Sequence, residues 1–167
     1  VVIVTSAALT HFQRFGTNLF NVIGDSEKTS RAAARWSYDN NARTASVLRS
    51  EQPWEFSQGE FFAEEFEKIG GKVIYIHDSP ADEKEFRVQA LKISRENPDV
   101  LFLATFNQIA YAAKALSKFK VKSMKTCALL DDAHLKAAQG TLKNTSFFLF
   151  QGPNEDFRER YKSRFNA

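Results

Sequence analysis

The stretch Thr44–His77, TASVLRSEQPWEFSQGEFFAEEFEKIGGKVIYIH, decides the fold. It opens on a short apolar run, TASVL (Thr44–Leu48), and closes on another, KVIYIH (Lys72–His77). Both have the length and the turn-forming borders of buried strands. Between them, Ser57-Gln58-Gly59-Glu60 reads as a capping box, in which a hydroxyl and a carboxylate satisfy each other's orphan N–H groups at a helix start. Phe62, Phe66 and Ile69 then form one apolar stripe, and Gly70-Gly71 supplies the stop. Strand, helix and strand in so short a span make a βαβ unit, which joins parallel strands.

The same texture repeats outward. Further apolar runs are Asp99–Thr105 (DVLFLAT), Thr126–Leu130 (TCALL) and Thr145–Phe150 (TSFFLF). Asp82 with Glu85 predicts a second helix start, with Phe86, Ala90 and Ile93 inward and Asn97-Pro98 as its end. Asn107 predicts a cap for a helix carrying Ile109, Ala112, Ala113 and Leu116. Asp131 or Asp132 suits a cap for Ala133–Ala138, and Asn154 one for a last helix with Phe157, Tyr161 and Phe165. Ahead of the unit, Asp25 or Ser26 starts a helix to about Asn40, with Ala32, Ala33 and Trp36 inward. Strands alternating with helices give a doubly wound, three-layer α/β domain with a five-stranded parallel sheet, expected over residues 25–167. Residues 1–24 fall outside the pattern, with apolar runs at Val1–Val4 and Leu19–Ile23. The opening VVIVTSAALT begins inside a strand and without Met, which reads as a piece of a longer protein.

Composition narrows the function classes. The chain has 167 residues, 43% of them hydrophobic, enough for a packed core rather than disorder. A net charge of +3 is weak for a dedicated nucleic-acid binder. The lone Cys127 excludes an internal disulfide, and no Cys/His cluster suggests zinc. No apolar run approaches the ~20 residues that cross a bilayer.

In open α/β sheets ligands bind beyond the carboxyl ends of the strands. The loops expected there are Arg49–Phe56, Asp78–Asp82, Thr105–Gln108, Leu130–His134 and Gln151–Asn154. They offer Trp54, Phe56, Phe106, Asn107, Asp131 and Asp132, an aromatic and acidic set that suits an apolar ligand with a cationic group. Catalytic templates are missing: there is no G-x-G-x-x-G, Walker A, G-x-S-x-G or H-E-x-x-H. His77 beside Asp78 reads as a strand-end residue, and Cys127 as a buried structural thiol. Lys118, Lys120, Lys122 and Lys125 read as a solvated helix end. An enzyme is therefore not expected, nor a cofactor or a metal.

Order and spacing carry a resemblance. Phe56-Ser57-Gln58-Gly59 after a strand, Ile69-Gly70-Gly71, KVIYIHDSPADEKEF with Glu85-Phe86, Asn97-Pro98-Asp99 and VLFLATF with Phe106 follow one another. Together they resemble the second lobe of type I periplasmic binding proteins, the branched-chain amino-acid and amide-binding (Leu/Ile/Val-binding-like) class. VIVTSAALT resembles a first-lobe segment ahead of the crossover into lobe two. The resemblance covers most of the chain. It departs at Phe56-Ser57, which stand where the family often has Tyr-Gly and so lose a phenol hydrogen bond.

The resemblance implies a two-lobed receptor that closes on a small amino acid or amide, as the solute-binding component of an ABC importer. Its implied partners are that ligand and a membrane permease, and its implied location is periplasmic or extracytoplasmic. Phe56 and Phe106 would pack on the ligand and Asp131 would meet its ammonium. Thr5, Ser6 and Ala7 would hold its carboxylate from lobe one. A ligand-sensing lobe of a receptor or regulator, a small α/β enzyme and a bare interaction module are the competing readings. An exposed interlobe face would favour self-association of the isolated lobe.

Overall fold

The computed structural model describes residues 2–4, 19–21, 25–148 and 154–165. β1 (Val2–Val4) and β2 (Leu19–Asn21) pair in parallel as a two-stranded sheet of their own. After α1 (Ser26–Asp39) the chain alternates β3 (Thr44–Ser50), α2 (Pro53–Lys68), β4 (Lys72–Ser79), α3 (Arg87–Glu96) and β5 (Val100–Ala104). It continues through α4 (Ile109–Lys118), β6 (Met124–Cys127), α5 (Asp132–Ala138), β7 (Thr145–Phe147) and α6 (Glu155–Phe165). β3 to β7 form one parallel sheet in the order β4-β3-β5-β6-β7.

Side-chain alternation along the strands builds both outer layers. On one face Ala45, Val47, Val100 and Phe102 pack with Ala33 and Ala34 of α1 and Phe62 and Phe66 of α2. Phe62 stacks on Phe102 at 4.3 Å and on Phe66 at 5.6 Å. On the other face Leu48, Leu101 and Leu103 meet Phe86, Ala90 and Ile93 near α3, Ile109 and Leu116 of α4, and Ala138 of α5. Covering both faces is what an all-parallel sheet requires. The strand order sends the chain outward from β3 to β4 and then back past β3 to β5. The connections leave β3 and β5 in opposite directions, so the carboxyl ends of these two strands flank the topological switch point.

Helix starts differ from expectation in three places. α2 begins at Pro53 rather than at the Ser57 box, because proline at the first position has no N–H to orphan. Ser57 Oγ instead donates to the Trp54 carbonyl at 3.0 Å, inside the helix. α3 begins at Arg87, beyond Asp82 and Glu85: Glu83 Oε1 accepts the Lys84 and Glu85 N–H groups at 2.8 and 2.7 Å and holds a local turn there. Asn107 lies inside a 3₁₀ turn, Phe106–Gln108, and does not cap α4. Asp25, Asp131 and Asn154 do accept N–H groups at their helix starts, at 3.0, 2.9 and 2.9 Å. Asn97 closes α3 at φ 48°. In α1 the sealed pair is Ala33 and Ala34, while Ala32 and Trp36 stay half-buried. β6 begins two residues earlier than expected, at Met124, and ends at Cys127.

Candidate functional site

Starting α2 at Pro53 places Trp54, Glu55 and Phe56 in its first turn instead of a loop. That turn faces the 3₁₀ turn after β5 across the switch point. Glu55 Oε1 accepts the Asn107 N–H at 3.2 Å. On either side of this bond in sequence, the Trp54 and Phe106 rings meet edge to face at 5.6 Å. Phe106 in turn meets the His134 ring at 4.3 Å. An aromatic row thus runs from the β3 connection over β5 to the β6 connection.

Asp131 anchors the far end of that row. Its Oδ1 accepts the His134 N–H at 2.9 Å and lies 2.7 Å from His134 Nδ1. Asp131 is half-exposed, whereas the His134 side chain is 13% exposed. The His134 backbone N–H is the main cause holding the Asp131 carboxyl below the ordinary carboxylate range. Asp131 thus caps α5 and lies beside the imidazole.

Phe56 belongs to a second group. The Arg49 guanidinium lies 3.8 Å over its ring and also pairs closely with Asp78. Gly59 makes room for this: a Cβ there would come within 2.6 Å of Arg49 Cδ. One face of Phe56 is therefore taken by arginine. Among the described ring contacts, Phe56 does not join Phe106. The structure thus brings Phe106 and Asp131 together through His134 and sets Phe56 apart. Thr5, Ser6 and Ala7 lie outside the described residues.

Five residues at this edge escaped sequence reasoning. Arg49 was hidden as a strand-end charge. His134 carried a signal in its spacing of three from Asp131, a cap position. Glu55 and Gln58 sit on one helix face and are 2% and 3% exposed, although their residue types read as solvent-facing. Thr105, at the end of β5, is fully buried. The Gln58 Nε2, Thr105 Oγ1 and Trp54 Nε1 atoms are buried without a hydrogen-bond partner among the described residues.

Other chemistry-bearing groups have structural roles. Burial pushes the Cys127 thiol up to about 12, so it is no nucleophile at neutral pH. His77 Nε2 lies 2.9 Å from Gln89 Nε2, and desolvation lowers its pKa. Among the described residues no three His, Cys, Asp or Glu side chains gather as metal ligands, and no helix is long and apolar enough to cross a membrane. At the opposite edge of the sheet, a groove of about 340 Å³ is lined by Asn40, Asn97, Asp99 and Ser123 among others.

Comparison with known proteins bears on the fold and the family. Residues 1–167 match the family model described as "Periplasmic binding protein". No functionally curated protein matches the chain. Among solved structures, a putative branched-chain amino acid ABC transporter protein from Rhodospirillum rubrum superposes with a TM-score of 0.79 at 18% identity, over 96% of this chain and 49% of that one. A leucine binding protein from Thermotoga maritima gives 0.75 at 17% identity, over 89% and 46%. A solute binding protein from R. palustris, solved with benzoate, gives 0.72 at 14% identity, over 90% and 44%. At such identities these likenesses concern the fold, and the chain spans about half the length of each. The family match covers the whole sequence, and the chain belongs to the periplasmic binding protein family.

Proposed function

We propose that this member of the periplasmic binding protein family serves as the second lobe of an extracytoplasmic solute-binding protein for an ABC importer. Residues 25–167 are that lobe, and residues 1–24 belong to the first lobe and the crossover. The solute is a small amino acid or related amide. It binds against the carboxyl edge of the sheet, and a membrane permease reads the closed form. The observation that carries this reading is the Trp54–Phe106–His134 row at the switch point, with carboxylates at both ends, in Glu55 and Asp131. Aromatic faces bind an apolar body and a few placed polar groups fix its orientation. Phe56, half-buried, packs on the solute as well. Thr5, Ser6 and Ala7 supply hydroxyl and backbone donors from the first lobe. Closure excludes water, which strengthens each polar contact and shifts the open–closed population. Binding alone is the activity; no bond of the solute is made or broken.

A second reading, an aromatic carboxylate, draws support from the same aromatic row and from the benzoate complex of one fold relative. Calorimetry on a chain extended to both lobes, with leucine and benzoate as the probes, separates the two. The amino-acid reading expects the leucine titration to give heat and the benzoate titration none. Phe106→Ala is expected to weaken leucine by about 1–3 kcal/mol of lost apolar contact. Unchanged affinity in that variant would remove the aromatic row from the site.

A further inference from the structure

We infer that Glu55 is the carboxylate that receives the ligand's cationic amine, with Gln58 and Thr105 as its polar neighbours at the switch point. The inference rests on the reading of this edge as the solute site. Asp131 was the expected counter-ion, but it is half-exposed and its Oδ1 is engaged by His134. Glu55 is 2% exposed, and among the described ion pairs no Lys, Arg or His meets it. Its hydrogen bond is to the Asn107 N–H.

Sealing a carboxylate away from water is costly unless it is paired or well hydrogen-bonded. Its place in the first turn of α2, and beside the turn that opens α4, offsets part of that cost through the positive helix ends. Among the described residues the Asn107 N–H is its one hydrogen-bond partner, and a carboxylate can accept several more. Capping the turn would need only a neutral acceptor, so the charge itself asks for a cation.

Gln58 and Thr105 point the same way. Gln58 lies one helical turn beyond Glu55 on the same face, and Thr105 stands two residues before Asn107. Both are sealed, and among the described residues their Nε2 and Oγ1 atoms lack partners. An acceptor charge next to unused donors fits an amine that carries a neighbouring carbonyl oxygen. Access is short, because Asn107 is exposed and Trp54 and Phe106 are half-exposed.

The test uses the 167-residue chain, labelled with ¹⁵N, and two probes that differ only in the amine: leucinamide and 4-methylpentanamide, near pH 6, where the amine is protonated. The reporters are the Asn107 amide and the Gln58 and Trp54 side-chain N–H signals. Leucinamide is expected to shift them saturably at millimolar levels, with the neutral amide weaker by about tenfold or more. Glu55→Gln keeps the oxygen that accepts the Asn107 N–H and removes only the charge. It is expected to weaken leucinamide by about tenfold or more and to bring the two probes together. Glu51→Gln, on the exposed part of the same connection, is expected to change nothing. Equal leucinamide affinity in Glu55→Gln, or equal responses to both probes in the unmodified chain, overturns the inference and leaves the proposed function standing. If the two-lobed chain also fails to bind leucine and benzoate, the proposed function falls and the inference with it.

Discussion

Glu65, in the seam between α1 and α2, shows how one carboxylate can tie two helices. It is 3% exposed; Arg35 Nε lies 2.6 Å from one of its oxygens and Arg31 3.4 Å from the other. The hydrogen bond from Arg35 is the main cause lowering its pKa. At the start of the sheet, Asp99 accepts N–H bonds from Arg43 and Thr44 at 2.9 and 2.8 Å, and these lower its pKa too. A carboxylate whose folded pKa is depressed contributes stability above its unfolded pKa, and that stability is lost as pH falls through the folded value. Urea midpoints are therefore expected to hold at neutral pH and to decline below the ordinary carboxylate values of 4.5 and 3.8. Glu65→Gln is expected to cost about 1–2 kcal/mol at pH 7, since Arg35 remains largely exposed, and to flatten the acid decline. An acid limb as steep as in the unmodified chain would show that Glu65 does not link pH to folding.

At the scale of elements, the turn from α2 into β4 is built on close approach. Gly71 donates its N–H to the Phe66 carbonyl at 2.9 Å, and a Cβ at Gly71 would come within 2.3 Å of the Phe66 ring. Phe66 is sealed and stacked on Phe62, so it has nowhere to yield. Gly71→Ala is expected to destabilise by about 1–3 kcal/mol, read as a lower thermal midpoint, from overpacking. A midpoint equal to the parent's would mean that the ring moves aside freely. The helix that ends at this turn also marks a limit of sequence reading. Ser57-Gln58-Gly59-Glu60 satisfies the capping pattern, yet Pro53 opens the helix earlier because its ring already fixes a helical φ. That shift of five residues, from a Ser57 cap to a Gln52 cap, carries Trp54, Glu55 and Phe56 from a loop onto a rigid turn.

Over the whole molecule, the five strands were legible because a parallel sheet covered on both faces leaves continuous apolar runs, each followed by a helix. The strand order was not, because periodicity says which segments are strands and nothing about which are neighbours. The edge that would hold a ligand followed from chain direction alone, and with it Phe106 and Asp131. The pairing of Glu55 with Asn107 across the switch point did not. It depends on the order β4-β3-β5, and a glutamate in a helix's first turn reads as a solvated partner of the helix dipole. Likewise, the guanidinium over Phe56 and the His134 ring against Phe106 are tertiary facts.

On the proposed reading, small solutes bind at the carboxyl edge of the five-stranded sheet. Amide NMR on this chain, titrated with leucine at millimolar concentration, checks this. The expected shifts cluster at Trp54, Glu55, Phe106, Asn107 and His134. Shifts confined to the opposite groove, at Asn40, Asn97 and Ser123, or no shift at the switch point, would contradict it.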